Sequence, residues 1–369
     1  MNSADKVSQL AEVAREIRAD PLARIMYGSR ELFHSNLLAW LCDEFPENVG
    51  PVFDQLIGEE AVPQQLECMR AQREWQHLDL VLSWTNRPPL VVENKVFSIP
   101  RLDQLDGYAQ KIRKLKTLGP ETRAILLSLG DPGWRKYTSV GEPDVDWHFV
   151  SYGELATRLA SQFLSGQSYE IETARRYVQL AQQLQKLADL LQIDDESEPV
   201  FISGWAAEAD DKQLMTAVSK LRALYVSNFI DKQIPSSETS RSASAGFTRA
   251  TPIVEFTYWM GSGDDDVRVG WQVQGQQFRL FAVLPHLDGR TEDLRAARSR
   301  WGLENRQYFD FGSLAEIVGL SVRDTVPAND TFNRYDPDFI YKYLKMPDLT
   351  VGELVQLAKR YQADLPDND

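Results

Sequence analysis

The alternation of apolar and polar residues predicts a β-hairpin between residues 77 and 97. In residues 77–84 every second side chain is a leucine or a tryptophan, which is the period of a strand with one buried face. Residues 90–97 form a second, largely apolar run. Between the runs, residues 85–89 contain the Asn and Pro residues that are typical of turns. The two runs are therefore predicted to be neighbouring antiparallel strands, with the turn centred near Arg87.

Three polar residues interrupt the second strand, namely Glu93, Asn94 and Lys95. Residues two apart share a face of a strand, so Glu93 and Lys95 point the same way. Pairing about Arg87 predicts Asp79 opposite Lys95, with Glu93 on the diagonal, roughly 7–8 Å away. Two carboxylates so placed could hold a hard divalent cation such as Mg²⁺. A slip of one residue would turn Asp79 to the other face.

A helix over residues 102–118 is predicted to follow the hairpin, and Gly119-Pro120 ends it. Gln104 and Tyr108 are one turn apart on this helix and share a face. Residues 101–136 contain eight Lys or Arg against four Asp or Glu, although the whole chain has a formal net charge of −14. The acidic chain argues against a protein coated with nucleic-acid-binding surface and leaves room for one basic groove beside the hairpin.

The order of these residues resembles the PD-(D/E)XK nuclease superfamily. Asp79 on one strand, Glu93-x-Lys95 on the next, and then a helix with Gln104-x-x-x-Tyr108 match its signature, the helix motif being that of the RecB-like and Cas4-like branch. One departure is Leu78, where many members have Pro. The resemblance covers residues 25–160. It implies an α/β fold with a restriction-endonuclease-like core, a mixed central β-sheet flanked by helices.

The resemblance also implies roles for the residues. Asp79 and Glu93 would hold Mg²⁺ or Mn²⁺, and the carbonyl of Asn94 would complete the coordination shell. Lys95 would orient water or stabilise developing charge. Gln104 and Tyr108 would position the lysine or the phosphate. The resemblance further implies that four basic residues bind nucleic acid: Arg101, Lys111, Lys114 and Lys116. The alternative for the three strand residues is a cross-strand salt bridge between Lys95 and one of the carboxylates, and for each helix lysine a solvated helix face.

A further metal ligand is expected from the helix predicted over residues 29–45, with Ser29 as its N-cap. Members of the superfamily often carry a metal-binding glutamate on the helix before the sheet, and Glu31 is the candidate. The alternative is a glutamate favoured by the helix dipole.

The resemblance implies a metal-dependent nuclease acting on DNA rather than RNA, in prokaryotic defence or DNA processing. The alternative is a catalytically silent protein of the same fold, an interaction or sensor protein that works with a partner. A protein partner or a homo-oligomer is left open. No apolar run reaches the roughly 18–20 residues of a membrane helix, and the chain has only two cysteines. Together these favour a cytoplasmic protein without membrane contact.

We expect three regions along the chain. Residues 1–165 form the nuclease-like core with N-terminal helices, residues 166–235 a helical connector, and residues 236–369 an accessory antiparallel β unit with C-terminal helices. The periodicity predicts helices over 3–19, 168–192, 210–229, 291–302 and 347–363, and strands over 124–129, 147–150, 253–259, 267–273 and 278–283. The Ser-rich residues 236–245 are predicted to be a loop.

Overall fold

The computed structural model divides into two compact units. One comprises Met1–Leu191 with Ser203–Leu221, and the other Gln192–Ile202 with Arg222–Asp369. The structure describes residues 3–58, 69–85, 87–115, 117–163, 165–203, 205, 211–234, 241–249, 251–260, 267–286, 290–321, 324, 327, 331–334 and 338–364. Within this part of the chain, no helix is both long and apolar enough to cross a membrane.

The first unit is built from a six-stranded sheet with helices around it. Its helices are α1 (Ser3–Ala19), α2 (Pro21–Ser29), α3 (Glu31–Glu44), α4 (Pro46–Leu56), α5 (Leu102–Lys114), α6 (Tyr152–Gln162) and α7 (Tyr169–Asp189). Its strands are β1 (Arg70–Trp75), β2 (Leu78–Ser83), β3 (Leu90–Lys95), β4 (Arg123–Ser128), β5 (Lys136–Thr138) and β6 (Asp146–Ser151).

The sheet is mixed, as the sequence predicts. Its strand order is β1-β2-β3-β4-β6-β5. Strands β3, β4 and β6 run parallel, and the other neighbours are antiparallel. Helix α5 packs its apolar stripe of Leu105, Ala109 and Ile112 against Val91 and Leu126 of the sheet. Helix α3 lies against β1, β2 and β3. The predicted α/β core is therefore confirmed.

The second unit is built on an antiparallel sheet. Its strands are β7 (Arg241–Thr248), β8 (Thr251–Met260), β9 (Val267–Gln274), β10 (Gln277–Val283), β11 (Asn333–Arg334) and β12 (Phe339–Lys345). Helix α8 (Lys212–Gln233) precedes the strands and belongs to this unit from Arg222 onward. The other helical elements of the unit are α9 (Thr291–Glu304), a 3-10 turn (Arg306–Phe309), α10 (Gly312–Val318) and α11 (Val351–Asp364). The strand order is β11-β12-β10-β9-β8-β7. One face packs into a core that includes Val254, Phe256, Trp271 and Phe278.

The structure corrects the predicted register of the hairpin. Leu80 pairs with Val92, and Leu82 with Leu90, so the pairing is centred one residue earlier than Arg87. Continued by one residue, this register sets Asp79 opposite Glu93 rather than opposite Lys95. Because the shift in pairing is two residues, Asp79 stays on the predicted face.

The structure differs from the local predictions at three places. The helix expected over residues 29–45 is present as α3, but Arg30, with a φ of 40°, separates it from α2, so Ser29 is not its N-cap and α3 has no side-chain cap. Residues 70–75, for which no strand is predicted, form strand β1. The serine-rich segment forms strand β7 from Arg241, paired along its length with β8. Residues 236–240 of that predicted loop lie outside the described residues.

Candidate active site

The hairpin brings Asp79 beside the polar end of β3. The backbone N–H of Asn94 donates a hydrogen bond of 2.8 Å to Oδ2 of Asp79. The ladder between β2 and β3 ends at Leu80 and Val92, and beyond it the N–H of Asn94 is bonded to a side chain instead of the backbone. Asp79 is thus fixed by the backbone of the strand that carries Glu93 and Lys95.

Glu93 is the most buried carboxylate of this group, with 1% of its surface exposed. The ammonium of Lys95 lies 2.6 Å from its Oε1. Apart from this ion pair, neither carboxylate oxygen accepts a well-aligned hydrogen bond from the described residues. Burial and repulsion from Asp79 raise the pKa of Glu93 to about 7, against the attraction of Lys95. The site therefore contains more buried negative charge than its own residues neutralise.

Asp79 shares this environment. Burial raises the pKa of its carboxyl group, the hydrogen bond from Asn94 and the charge of Lys95 lower it, and the charge of Glu31 raises it. Glu31 therefore lies close enough to Asp79 to act on it electrostatically. Its own carboxylate accepts a hydrogen bond of 2.9 Å from the hydroxyl of Ser98.

Helix α5 adds two polar side chains to the same face of the sheet. Nε2 of Gln104 donates a hydrogen bond of 2.8 Å to the hydroxyl of Tyr108, as expected for residues one turn apart. Burial and the neighbouring charge of Glu93 raise the pKa of the Tyr108 hydroxyl. The ammonium of Lys111 lies 5.0 Å from the centroid of the Tyr108 ring, which connects the basic side of α5 to the site.

The side chain of Asn94 points to the opposite face of the sheet, because it alternates with Glu93 and Lys95. Its Nδ2 donates to Oγ of Ser35 at 3.1 Å and to the carbonyl oxygen of Glu31 at 3.3 Å. The hydroxyl of Tyr152 donates to its Oδ1. Asn94 is 1% exposed, so these contacts hold β3 firmly against α3 and α6.

Sequence reasoning did not find Ser35, Ser98 or Tyr152 as supports of the site. One signal was available for Tyr152. Ser151 and Glu154 form a capping box at the start of α6, with the Ser151 side chain bonded to the N–H of Glu154 and the Glu154 side chain to the N–H of Ser151. This Ser-x-x-Glu pattern fixes the first residue of the helix, and that residue is Tyr152.

The four residues expected to bind nucleic acid are placed differently. Arg101 is exposed and pairs with Asp103, with Nη2 at 2.6 Å from Oδ2. Lys111 and Lys114 lie on α5 and form no ion pair within the described residues. Lys116 lies outside the part of the chain that the structure describes. The neighbouring Arg113 does not extend this basic surface, because it donates to the carbonyl oxygens of residues 139–141 and 143.

The residues present suit a divalent cation. Carboxylate oxygens are the ligands that Mg²⁺ and Mn²⁺ prefer, and the two oxygens of Glu93 are buried without a well-aligned donor. Across the described ranges, no group of three or more His, Cys, Asp or Glu side chains is arranged to hold a metal ion. Asp79 and Glu93 are thus the pair to which the chemistry points, and the role of Glu31 stays a prediction.

The mixed sheet and the Asp79, Glu93 and Lys95 cluster define a restriction-endonuclease-like α/β domain. Residues 21–179 match the family model of the PD-(D/E)XK nuclease superfamily, which supports the superfamily that the sequence predicts. The match does not extend to a branch, so the RecB-like and Cas4-like assignment stays a prediction. Searches of curated proteins and of solved structures returned no match. Nucleases of this superfamily generally use divalent metal ions.

Proposed function

We propose that the protein is a nuclease that hydrolyses phosphodiester bonds of DNA with the help of Mg²⁺ or Mn²⁺. The observation that supports this most directly is the buried cluster of two carboxylates and one lysine on β2 and β3. It lies inside the segment that matches a nuclease superfamily. A salt bridge alone would account for Lys95 and Glu93, but not for a second carboxylate that raises the pKa of the first.

The chain's own residues divide the work. Asp79 and Glu93 would hold the metal ion, which would polarise the phosphate and lower the pKa of bound water. The ammonium of Lys95 would stabilise negative charge on the attacked phosphate. Tyr108, held by Gln104, would orient the lysine or the phosphate. Lys111 and Lys114 would contact the backbone on either side, because phosphate contacts position a strand without reading its sequence.

The test is cleavage of labelled plasmid, linear duplex DNA, single-stranded DNA and RNA, each with Mg²⁺, Mn²⁺ or EDTA. The native protein is compared with Asp79→Asn, Glu93→Gln and Lys95→Met, which keep the side-chain size. We expect metal-dependent cutting of DNA, reduced at least a hundredfold in each variant.

The matched control is Lys186→Met, which removes an exposed lysine of α7 in the same unit and should cut like the native protein. Cutting that survives Glu93→Gln and Lys95→Met would place the activity elsewhere. No cutting of any substrate by folded native protein would instead favour a silent interaction or sensor protein. Preferential cutting of RNA would contradict the choice of DNA.

A further inference from the structure

The sheet of the second unit has a second face that the buried core does not use. On β9, Trp271 and Val273 point into the core, so Arg268, Gly270 and Gln272 point the other way. We call this side the outer face. It comprises these residues and the positions on the other described strands that pair with them and alternate with the core residues. The members that matter below are Glu255, Arg279, Phe281, Phe339, Tyr341, Tyr343 and Lys345.

Aromatic rings follow one another along β12 on the outer face. Phe339, Tyr341 and Tyr343 occupy every second position, and all three are partly exposed. The ring centroids of Phe339 and Tyr341 are 5.9 Å apart, and those of Tyr341 and Tyr343 are 6.3 Å apart. Three rings so spaced offer successive stacking positions to flat ligand groups.

The middle of the outer face is buried beside these rings. Phe281 is buried, pairs across the sheet with Gly270 and stacks on Phe339 with a centroid distance of 5.1 Å. Gly270 cannot be replaced by a larger residue, because a Cβ there would lie 2.0 Å from the carbonyl oxygen of Phe256. Gly270 is itself buried, as are Thr257 and Gln272 on the same face, so the exposed part of the outer face lies along β12.

Positive charge lies next to the rings. The guanidinium of Arg279 lies 4.5 Å from the centroid of the Tyr341 ring, and its Nη1 donates to Gln272 at 3.3 Å. Gln272 in turn donates to Glu255 at 3.0 Å. Lys345 and Arg268 are exposed. The strand positions of the outer face thus carry three cations and one carboxylate, in a chain whose net charge is −14.

We propose that the outer face binds single-stranded DNA, with bases stacked on Tyr341 and Tyr343 and phosphates near Arg279 and Lys345. Rings beside cations on an open sheet suit a single strand, because its bases are free to stack, whereas a duplex hides them. The polyanion complements the local positive charge. The choice of DNA rests on the proposed function. The binding itself does not, since it needs no residue of the first unit.

The test is fluorescence anisotropy of a labelled 20-nucleotide oligo-dT with the full chain carrying Lys95→Met, in EDTA, at 50 to 200 mM NaCl. Stacking on one aromatic side chain accounts for roughly a 5- to 150-fold change in Kd. We therefore expect the double variant Tyr341→Ala/Tyr343→Ala to bind at least tenfold more weakly. Lys345→Gln should reduce the slope of log K against log salt by about 0.7.

Two controls isolate stacking. Tyr341→Phe/Tyr343→Phe keeps both rings and should bind within about twofold of the parent. Tyr169→Ala removes an exposed tyrosine of the first unit and should also leave Kd unchanged. Circular dichroism and the melting temperature establish that every variant is folded.

The inference is overturned if the folded double alanine variant binds as tightly as the parent, or if the double phenylalanine variant loses as much affinity as the alanine one. Tighter binding of oligo-rU than of oligo-dT overturns the choice of DNA. A protein that binds through Tyr341 and Tyr343 but cuts nothing supports this inference and contradicts the proposed function. A protein that cuts DNA, but whose Tyr341→Ala/Tyr343→Ala variant binds oligo-dT as tightly as the parent, supports the proposed function and contradicts this inference.

Discussion

Of the residues of the site, Glu93 is the one whose buried charge most opposes the stability of the folded protein. Its carboxylate is buried, lies near a second carboxylate and has the ammonium of Lys95 and the hydroxyl of Tyr108 as partners. A buried charge without enough partners destabilises the folded state. Residues of this kind are retained where the charge is needed for function, which agrees with a place in the candidate active site.

The pH dependence of stability follows from the pKa of Glu93. Its pKa is about 7 in the folded protein and 4.5 in the reference state. Between these values the folded state keeps a proton that the unfolded state releases, so stability is lost as the pH rises from about 4.5 to 7. We expect Glu93→Gln to raise the free energy of unfolding in EDTA by up to about 3 kcal/mol at pH 8 and by almost nothing at pH 4.5.

Chemical unfolding at both pH values measures this difference. The control Glu121→Gln changes an exposed carboxylate of the same unit and should give the same difference from the native protein at both. A Glu93→Gln protein that is less stable than the native one at pH 8 would show that Lys95 compensates the carboxylate fully.

Divalent cations should reverse this destabilisation. Because Asp79 and Glu93 form a negatively charged pair, we expect Mg²⁺ or Mn²⁺ to raise the melting temperature of the native protein. The stabilisation is about 2.7 kcal/mol when the metal concentration is one hundred times Kd. The double variant Asp79→Asn/Glu93→Gln should show no such rise, and EDTA should abolish it in the native protein. An equal rise in both proteins would mean that the metal binds elsewhere.

At the scale of elements, α3 and α6 hold β3 through Asn94. Tyr152→Phe removes the hydroxyl that donates to Asn94 Oδ1 and leaves a buried acceptor without that donor. We expect a loss of roughly 1–3 kcal/mol of stability and a fall of about tenfold in kcat, with little change in KM, since β3 is less well positioned.

A matched tyrosine separates positioning from stability. Tyr177 is also fully buried, and its hydroxyl lies 3.2 Å from Nδ1 of His34. Tyr177→Phe should therefore cost similar stability and leave kcat unchanged. Equal losses of kcat in Tyr152→Phe and Tyr177→Phe would reduce the role of Tyr152 to general stability.

The sequence predicts those elements whose periodicity is strong, and misses those that depend on neighbours. Strand β2 is predicted because a leucine or tryptophan occupies every second position of residues 77–84. Strand β1 is an edge strand with mostly exposed residues, so it has no apolar alternation. Strand β7 contains mainly Ser, Ala and Gly and is held by pairing with β8, a contact that local propensity cannot show.

The sequence predicts the site residues that lie close together along the chain, and it misses the contacts between residues that are far apart along the chain. Asp79, Glu93 and Lys95 lie on adjacent strands, so alternation alone set them on one face. The register was wrong by two residues because a five-residue turn region does not fix its own centre. Tyr152 joins Asn94 from 58 positions away along the chain, and such pairs depend on the packing of helices on the sheet.

At the scale of the whole molecule, two units have separate hydrophobic cores. We expect calorimetry to show two transitions. Phe256→Ala removes a ring from the core of the second unit. It should lower the free energy of unfolding of that unit by about 3–5 kcal/mol, and with it the temperature of one transition. Mg²⁺ should raise the temperature of the other transition. A single transition that responds to both changes would show that the units unfold together. The division into core, connector and accessory unit stays a prediction.

The two faces of β3 have a consequence for genetics. The backbone N–H of Asn94 donates to Asp79. On the other face of the sheet, its side-chain amide donates to Ser35 and accepts from Tyr152. A substitution at Ser35 or Tyr152 therefore acts on the reacting groups through a single intervening residue, Asn94. A random screen for inactive clones should return Ser35 and Tyr152 alongside the carboxylates, and a map of such clones would outline the strand from its reverse side.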